Sequence, residues 1–179
     1  RTEKDAYSLL RMINTNVGAL KEVFAAATKV GIKNVFSVSS DKAVNPANLM
    51  GATKSLMEKL LWANGDSFHV STARFANVAF SAGSLLDGFE QRLKKRQPLA
   101  GPQDIKRYFI SHEEAGQLCL LACFLSCNRQ IFIPKLAPER DLKTFQEIAI
   151  EYLVHNGMTP VFCLSEDEAK SFSVGANGE

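Results

Sequence analysis

The chain has 179 residues, 46% of them hydrophobic and 22% charged, enough for a domain with a substantial core. Its 21 basic and 19 acidic side chains leave a net charge of +2, without the clustered basic excess of a nucleic-acid footprint. No apolar run approaches the ~20 residues of a membrane span, residues 1–5 do not read as a signal peptide, and four cysteines suit a reducing cytoplasm better than a disulfide scaffold. In chain order, Val17, Leu20, Val23, Phe24, Ala27 and Val30 repeat at helical spacing and predict a helix closed by Gly31 at its C′ position. Residues 34–39 form a short β-branched and aromatic run that reads as a buried strand, and a helix over 48–63 follows. Residues 68–73 read as a second strand. A helix from Ser84 to Arg96 ends in Lys94, Lys95 and Arg96, cations that suit the negative end of the helix dipole. Ser111 and Glu114 have capping-box spacing for a helix running to Cys127. Residues 130–133 are a predicted strand, 141–156 a helix and 161–164 a last strand, after which Ser165 and Glu168 repeat the capping-box spacing. This alternation of helices and strands predicts a parallel α/β sheet.

Ser39, Ser40, Asp41 and Lys42 follow the first strand directly. An acid and a base there sit where open α/β sheets bind ligands, beyond the carboxyl ends of the strands. Lys54 lies four residues after Met50 on the next helix, so the two side chains share a face. Taken alone, Asp41 and Lys42 also fit a solvated ion pair closing a strand. Asn16 fits an N-cap for the helix beginning at Val17.

The stretch from Ser39 to Lys54, with Met50-Gly51-Ala52-Thr53-Lys54 at its end, resembles the extended short-chain dehydrogenases/reductases that act on nucleotide sugars. It is most similar to the UDP-N-acetylglucosamine 4,6-dehydratases of polysaccharide and glycan biosynthesis, a group in which some members also carry Met where the wider family has Tyr. Asn14-Thr15-Asn16-Val17-Gly18, Ala73-Arg74-Phe75-Ala76-Asn77-Val78, Gly83-Ser84 and Lys106-Arg107-Tyr108-Phe109 extend the likeness over residues 14–122 in the expected order. The resemblance implies a Rossmann-like, doubly wound parallel sheet. Residues 1–80 would be the second half of its NAD-binding domain, and residues 81–179 substrate-binding segments and C-terminal α/β elements. It implies NAD as cofactor, a nucleotide-sugar substrate, no metal and a homo-oligomer.

The resemblance also distributes roles. In a 4,6-dehydration, hydride leaves sugar C4, the C5 proton is removed, the C6 hydroxyl departs with help from an acid, and hydride returns to C6. Asp41 would be the C6 acid, Lys42 the C5 base and Ser40 a hydrogen-bond donor to the C4 oxygen. Lys54 would bind the nicotinamide ribose, with Met50 lining the pocket in place of the family's Tyr. Met50 cannot transfer a proton. Asn16, Ser39 and Val78 would also meet the cofactor, and Arg74, Asn77, Ser84 and Arg107 the substrate. A guanidinium suits a diphosphate because it can bond it bidentately.

Two further readings complete the sequence. No Gly-x-Gly-x-x-Gly turn occurs, whereas the resemblance places that fingerprint on the order of a hundred residues before the equivalent of Asn16. These 179 residues are therefore expected to be the C-terminal part of a longer enzyme. In isolation they should be inactive and without measurable NAD affinity; a chain that never had the fingerprint is the alternative. Cys119, Cys123 and Cys127 fall on one helix face at four-residue spacing and read as small apolar side chains facing a core. Beside the dehydratase stand two other readings, a sibling epimerase or 4-keto reductase and a non-catalytic relative.

Overall fold

Asp5 opens the first helix, α1 (Ala6–Ile13), by accepting from the Ser8 backbone N–H at 2.8 Å. The helical path runs through one π turn, Asn14–Gly18, into α2 (Ala19–Val30). Such single π turns are frequent at functional sites, and this one carries Asn16. Gly31 ends α2 with φ of 74°, the left-handed conformation that glycine adopts at little cost. β1 (Asn34–Ser40) follows, then a single 3₁₀ turn, Asp41–Ala43, and α3 (Leu49–Ala63), whose Asn48 cap accepts from the Gly51 N–H at 3.0 Å. β2 (His69–Phe75) pairs parallel to β1 in register from Asn34↔His69 to Ser40↔Phe75.

The computed structural model describes residues 5–81, 83–165, 167, 168 and 171, which divide into two compact units. The first runs to Ala76 and takes in Glu113–Lys135; the second is Asn77–His112 with the residues from Leu136 onward. The second unit contains β3 (Asn77–Val78), α4 (Leu85–Lys94) and β4 (Lys106–Ile110). The chain then returns to the first unit as α5 (His112–Phe124) and β5 (Gln130–Phe132), and β5 joins β2 to give the parallel order β1-β2-β5. Leu20, Phe24 and Ala27 of α2 pack with Met57 and Leu61 of α3, Phe68, Val35 of β1 and Val70 of β2 on one face of this sheet. Ser71, which alternation turns to the other face, donates to the Ala122 carbonyl of α5 at 2.7 Å. Helices therefore cover both faces, as a doubly wound sheet requires.

In the second unit, β6 (Leu142–Thr144) follows the short α6 (Pro138–Asp141) and leads into α7 (Phe145–His155). β4 pairs parallel with β3 and antiparallel with β6. Leu86 and Phe89 of α4 pack against Ile148 and Ala149 of α7. Several sequence expectations are corrected here. The helix expected from 141 begins at Phe145, because residues 142–144 pair with β4 and Thr144 then forms a capping box with Glu147. Residues 161–164 form no strand: no described strand pairs with them, and Val161, Phe162 and Leu164 are exposed. α5 stops at Phe124, which leaves Cys127 exposed rather than facing a core. β3, β4 and β6 were not expected. No helix among the described residues is long and apolar enough to cross a membrane.

Candidate active site

β1 delivers Ser40, Asp41 and Lys42 onto the 3₁₀ turn that starts where the strand ends. Three donors converge on Asp41 Oδ1: the Ser40 hydroxyl at 2.8 Å, the Lys42 backbone N–H at 2.9 Å and the Lys42 ammonium at 3.1 Å. The pair is open to solvent, with the Lys42 and Asp41 side chains 39% and 52% exposed. An exposed ion pair contributes only ~0–1 kcal/mol, so this contact is not what holds the turn. The turn is held from below, where Ala43 is buried and α3 comes close. A Cβ added to Gly51 would lie 2.5 Å from the Lys42 carbonyl oxygen.

α3 carries Met50, Lys54 and Glu58 at successive four-residue steps, on one face of the helix. The Lys54 ammonium donates to the Val38 carbonyl of β1 at 2.9 Å and meets the Met57 sulfur at 4.0 Å. Burial pushes the Lys54 pKa below the ordinary lysine value, while the charge of Glu58 acts in the opposite direction. Asn16 is not a helix cap. It lies inside the π turn, and its amide donates to the Thr53 hydroxyl at 3.0 Å, which in turn donates to the Met50 carbonyl at 3.0 Å. The π turn thus aims a side chain at the first turn of α3, one residue from Lys54.

Glu58 is 4% exposed and had no place in the sequence reading. Ser39 and Arg74 are register partners on β1 and β2, and paired residues of parallel strands point the same way, here toward α3. The Ser39 hydroxyl donates to Glu58 Oε1 at 2.5 Å. The Arg74 guanidinium clamps both carboxylate oxygens, at 2.8 Å and 2.5 Å. Burial disfavours the Glu58 charge, but the hydrogen bonds from Arg74 and Ser39 and the charges of Arg74 and Lys54 outweigh it and hold the carboxyl below the usual range. Ser39 and Arg74, expected to face cofactor and substrate, are both held by this buried carboxylate.

The remaining expected residues lie in the second unit. Asn77 donates from its amide to the Tyr108 carbonyl at 3.0 Å, and the Val78 carbonyl accepts from the Ser81 hydroxyl at 2.9 Å. Ser84 caps α4 by accepting from the Asp87 N–H at 3.3 Å. Arg107 is exposed on β4, with its guanidinium 6.0 Å from the Phe145 ring centroid and one donor on the Lys106 carbonyl.

The family described as "Polysaccharide biosynthesis protein" matches residues 5–169, a span that takes in every residue named in these two units. The chain belongs to this family. Among its curated relatives, an uncharacterized membrane protein of Methanocaldococcus jannaschii is 36% identical over 82% of this chain and 46% of its own length. A UDP-N-acetylglucosamine 4,6-dehydratase (inverting) of Campylobacter jejuni is 31% identical over 73% of this chain and 41% of its own. A UDP-glucose 4-epimerase of Rickettsia canadensis is 33% identical over 70% and 39%. The chain therefore spans less than half the length of these relatives. The X-ray structure of Pen from Bacillus thuringiensis matches 87% of this chain and 48% of its own at a TM-score of 0.75 and 24% identity. The shared fold is the Rossmann-like sheet of the extended short-chain enzymes, as the resemblance implied.

Glu58 and Thr53 bond to candidate site residues and were given no role by sequence reasoning. The signal for Glu58 was present as a third step in the Met50, Lys54 spacing, on a face whose other members were already assigned. Gly51 is a second consequence of close packing. Gly51→Ala is expected to destabilise the protein by ~1–3 kcal/mol, as overpacking does, because Lys42 and Pro46 backbone atoms occupy the space. Urea denaturation checks this; an unchanged midpoint would show that the turn yields easily.

Proposed function

We propose that the full-length protein is an NAD-dependent nucleotide-sugar 4,6-dehydratase taking a UDP-N-acetylglucosamine-type substrate in polysaccharide or glycan biosynthesis. The observation that carries this reading is the Asp41–Lys42 pair, in contact at the carboxyl end of β1 on a turn that meets α3 at Gly51, between Met50 and Lys54. The similarity to a Campylobacter jejuni protein of that activity supports it.

The donor set fits the cofactor. Lys54 offers a half-buried ammonium with one N–H on the Val38 carbonyl and another toward the Met57 sulfur, so one donor remains for a ribose hydroxyl. Bound NAD would accept the hydride of C4 and donate it back at C6. The chain's own residues handle the protons. Elimination needs Lys42 as a neutral amine, reached by release of one proton to solvent, with Asp41 as carboxylate. Ser40, bonded to Asp41 Oδ1 at 2.8 Å, passes the C4 hydroxyl proton to that carboxylate as hydride leaves C4, a task that Met50 cannot perform. Lys42 then takes the C5 proton, Asp41 gives its proton to the departing C6 hydroxyl, and water leaves. Lys42 returns its proton to C5 as hydride comes back to C6, and the pair ends as the amine and carboxylate that began the cycle.

The test is product analysis. The full-length protein incubated with UDP-N-acetylglucosamine and NAD in deuterated water is expected to yield a 4-keto-6-deoxy sugar labelled at C5. A product that keeps every oxygen and differs only at C4 would instead establish an epimerase, the activity named for the Rickettsia relative.

A further inference from the structure

Lys54 is half-buried, and its hydrogen bonds bring it no compensating charge. Its partners, the Val38 carbonyl and the Met57 sulfur, are both neutral. β1 contributes the Val38 carbonyl and the Ser39 hydroxyl, and Ser39 is bonded to Glu58. β2 contributes Arg74, also on Glu58. The 3₁₀ turn carries Asp41 and Lys42, which are paired with each other. The π turn carries the uncharged Asn16, on Thr53. On α3 itself, Glu58 lies one turn beyond Lys54, a spacing that leaves Cβ atoms ~5–6 Å apart. Glu58 also ties the helix to Ser39 and Arg74, on the rung just before the last one that β1 and β2 share.

We propose that Glu58 is the positioning residue of this site: it anchors α3 to the ends of β1 and β2 and, through space, sustains the positive charge of Lys54. The proposal rests on the reading of Lys54 as the residue that meets the cofactor, and it deepens that reading. One buried carboxylate serves two cations, Arg74 by direct contact and Lys54 by field. The surplus positive charge lies on the Lys54 side.

Competitive acetylation of the full-length protein over a pH series, read by mass spectrometry on the Lys54 peptide, tests this without any assay of turnover. Removing the Glu58 charge leaves burial unopposed, so Glu58→Gln is expected to move the Lys54 labelling midpoint down by about one pH unit. Lys94, ion-paired with Glu90, serves as a reference that should stay in place. If Glu58→Gln is too unstable to purify, the pair Glu58→Met with Arg74→Met leaves neither charge of the buried pair without its partner, and the same downward shift is expected. An unmoved Lys54 midpoint in whichever variant folds would overturn the proposal and leave Glu58 as a structural tie alone. A shifted midpoint in a protein that forms no 4-keto sugar would support the positioning role and sink the dehydratase reading.

Discussion

Asp41→Asn and Lys42→Met are each expected to lower turnover of the full-length protein by a factor of roughly 10²–10⁴, the usual contribution of a general acid or base. Neither should disturb folding. The two side chains are about half exposed and their contact is a surface ion pair, which contributes ~0–1 kcal/mol. Asn keeps the shape of Asp41 and can still accept from Ser40 and the Lys42 backbone, so the turn persists while the proton is lost. Met keeps most of the Lys42 stem and removes the amine. Steady-state kinetics with UDP-N-acetylglucosamine, alongside thermal melts, would read both effects. Near-normal turnover in both variants would refute the proton-transfer roles and return the pair to the status of a solvated strand end. A fall in turnover with a matching fall in melting temperature would instead mean that the pair is structural.

The opposite pattern is expected at Arg74. Arg74→Met strands a buried Glu58 carboxylate, and breaking a buried pair from one side costs roughly 3–5 kcal/mol. The Arg74 side chain is 18% exposed, which favours the lower end of that range. The loss should depend on pH. In the native protein the Glu58 carboxyl is held below its ordinary value of 4.5, so its contribution is present above that pH and fades as pH falls through the lowered value. In Arg74→Met the dominant remaining influence is burial, which raises the Glu58 pKa, so acid relieves the stranded charge. The stability gap between the two proteins is therefore expected to be widest near neutral pH and to narrow as pH falls, from the raised value of the variant down to the lowered value of the native protein. Denaturant unfolding at a series of pH values would show this. A gap that stays constant with pH would mean that Arg74 stabilises by packing its stem rather than by its charge.

The contrast between these two sites follows how far apart their residues lie in the chain. Asp41 and Lys42 are neighbours, so their contact requires only that β1 ends at Ser40 and turns. That ending was legible: the expected strand over 34–39 is one residue short of the observed one, and the Gly31 stop of α2 lies where its chemistry places it. Met50 and Lys54 share a face by helical geometry alone. Glu58 was overlooked because a Glu on an amphipathic helix reads as a solvated face, and only packing against β1 buries it. Residues 142–144 show the same limit in reverse. Their local pattern continued into a helix, and pairing with β4 across more than thirty residues pulled them into a strand.

α2, β1, α3 and β2, the adjacency of Asp41 and Lys42 and the shared Met50–Lys54 face were thus determined by the sequence alone, because strand runs and helical spacing act over a few residues. The tertiary structure decided the rest. It turned Ser39 and Arg74 inward through the parallel register of β1 and β2, buried Glu58 between them, withdrew Lys54 from water, and aimed Asn16 at Thr53 rather than at its own helix. Each of these depends on which face of a strand or helix meets a neighbour distant in the chain. Burial then sets the charge of such groups through desolvation, a quantity that no short stretch of residues carries.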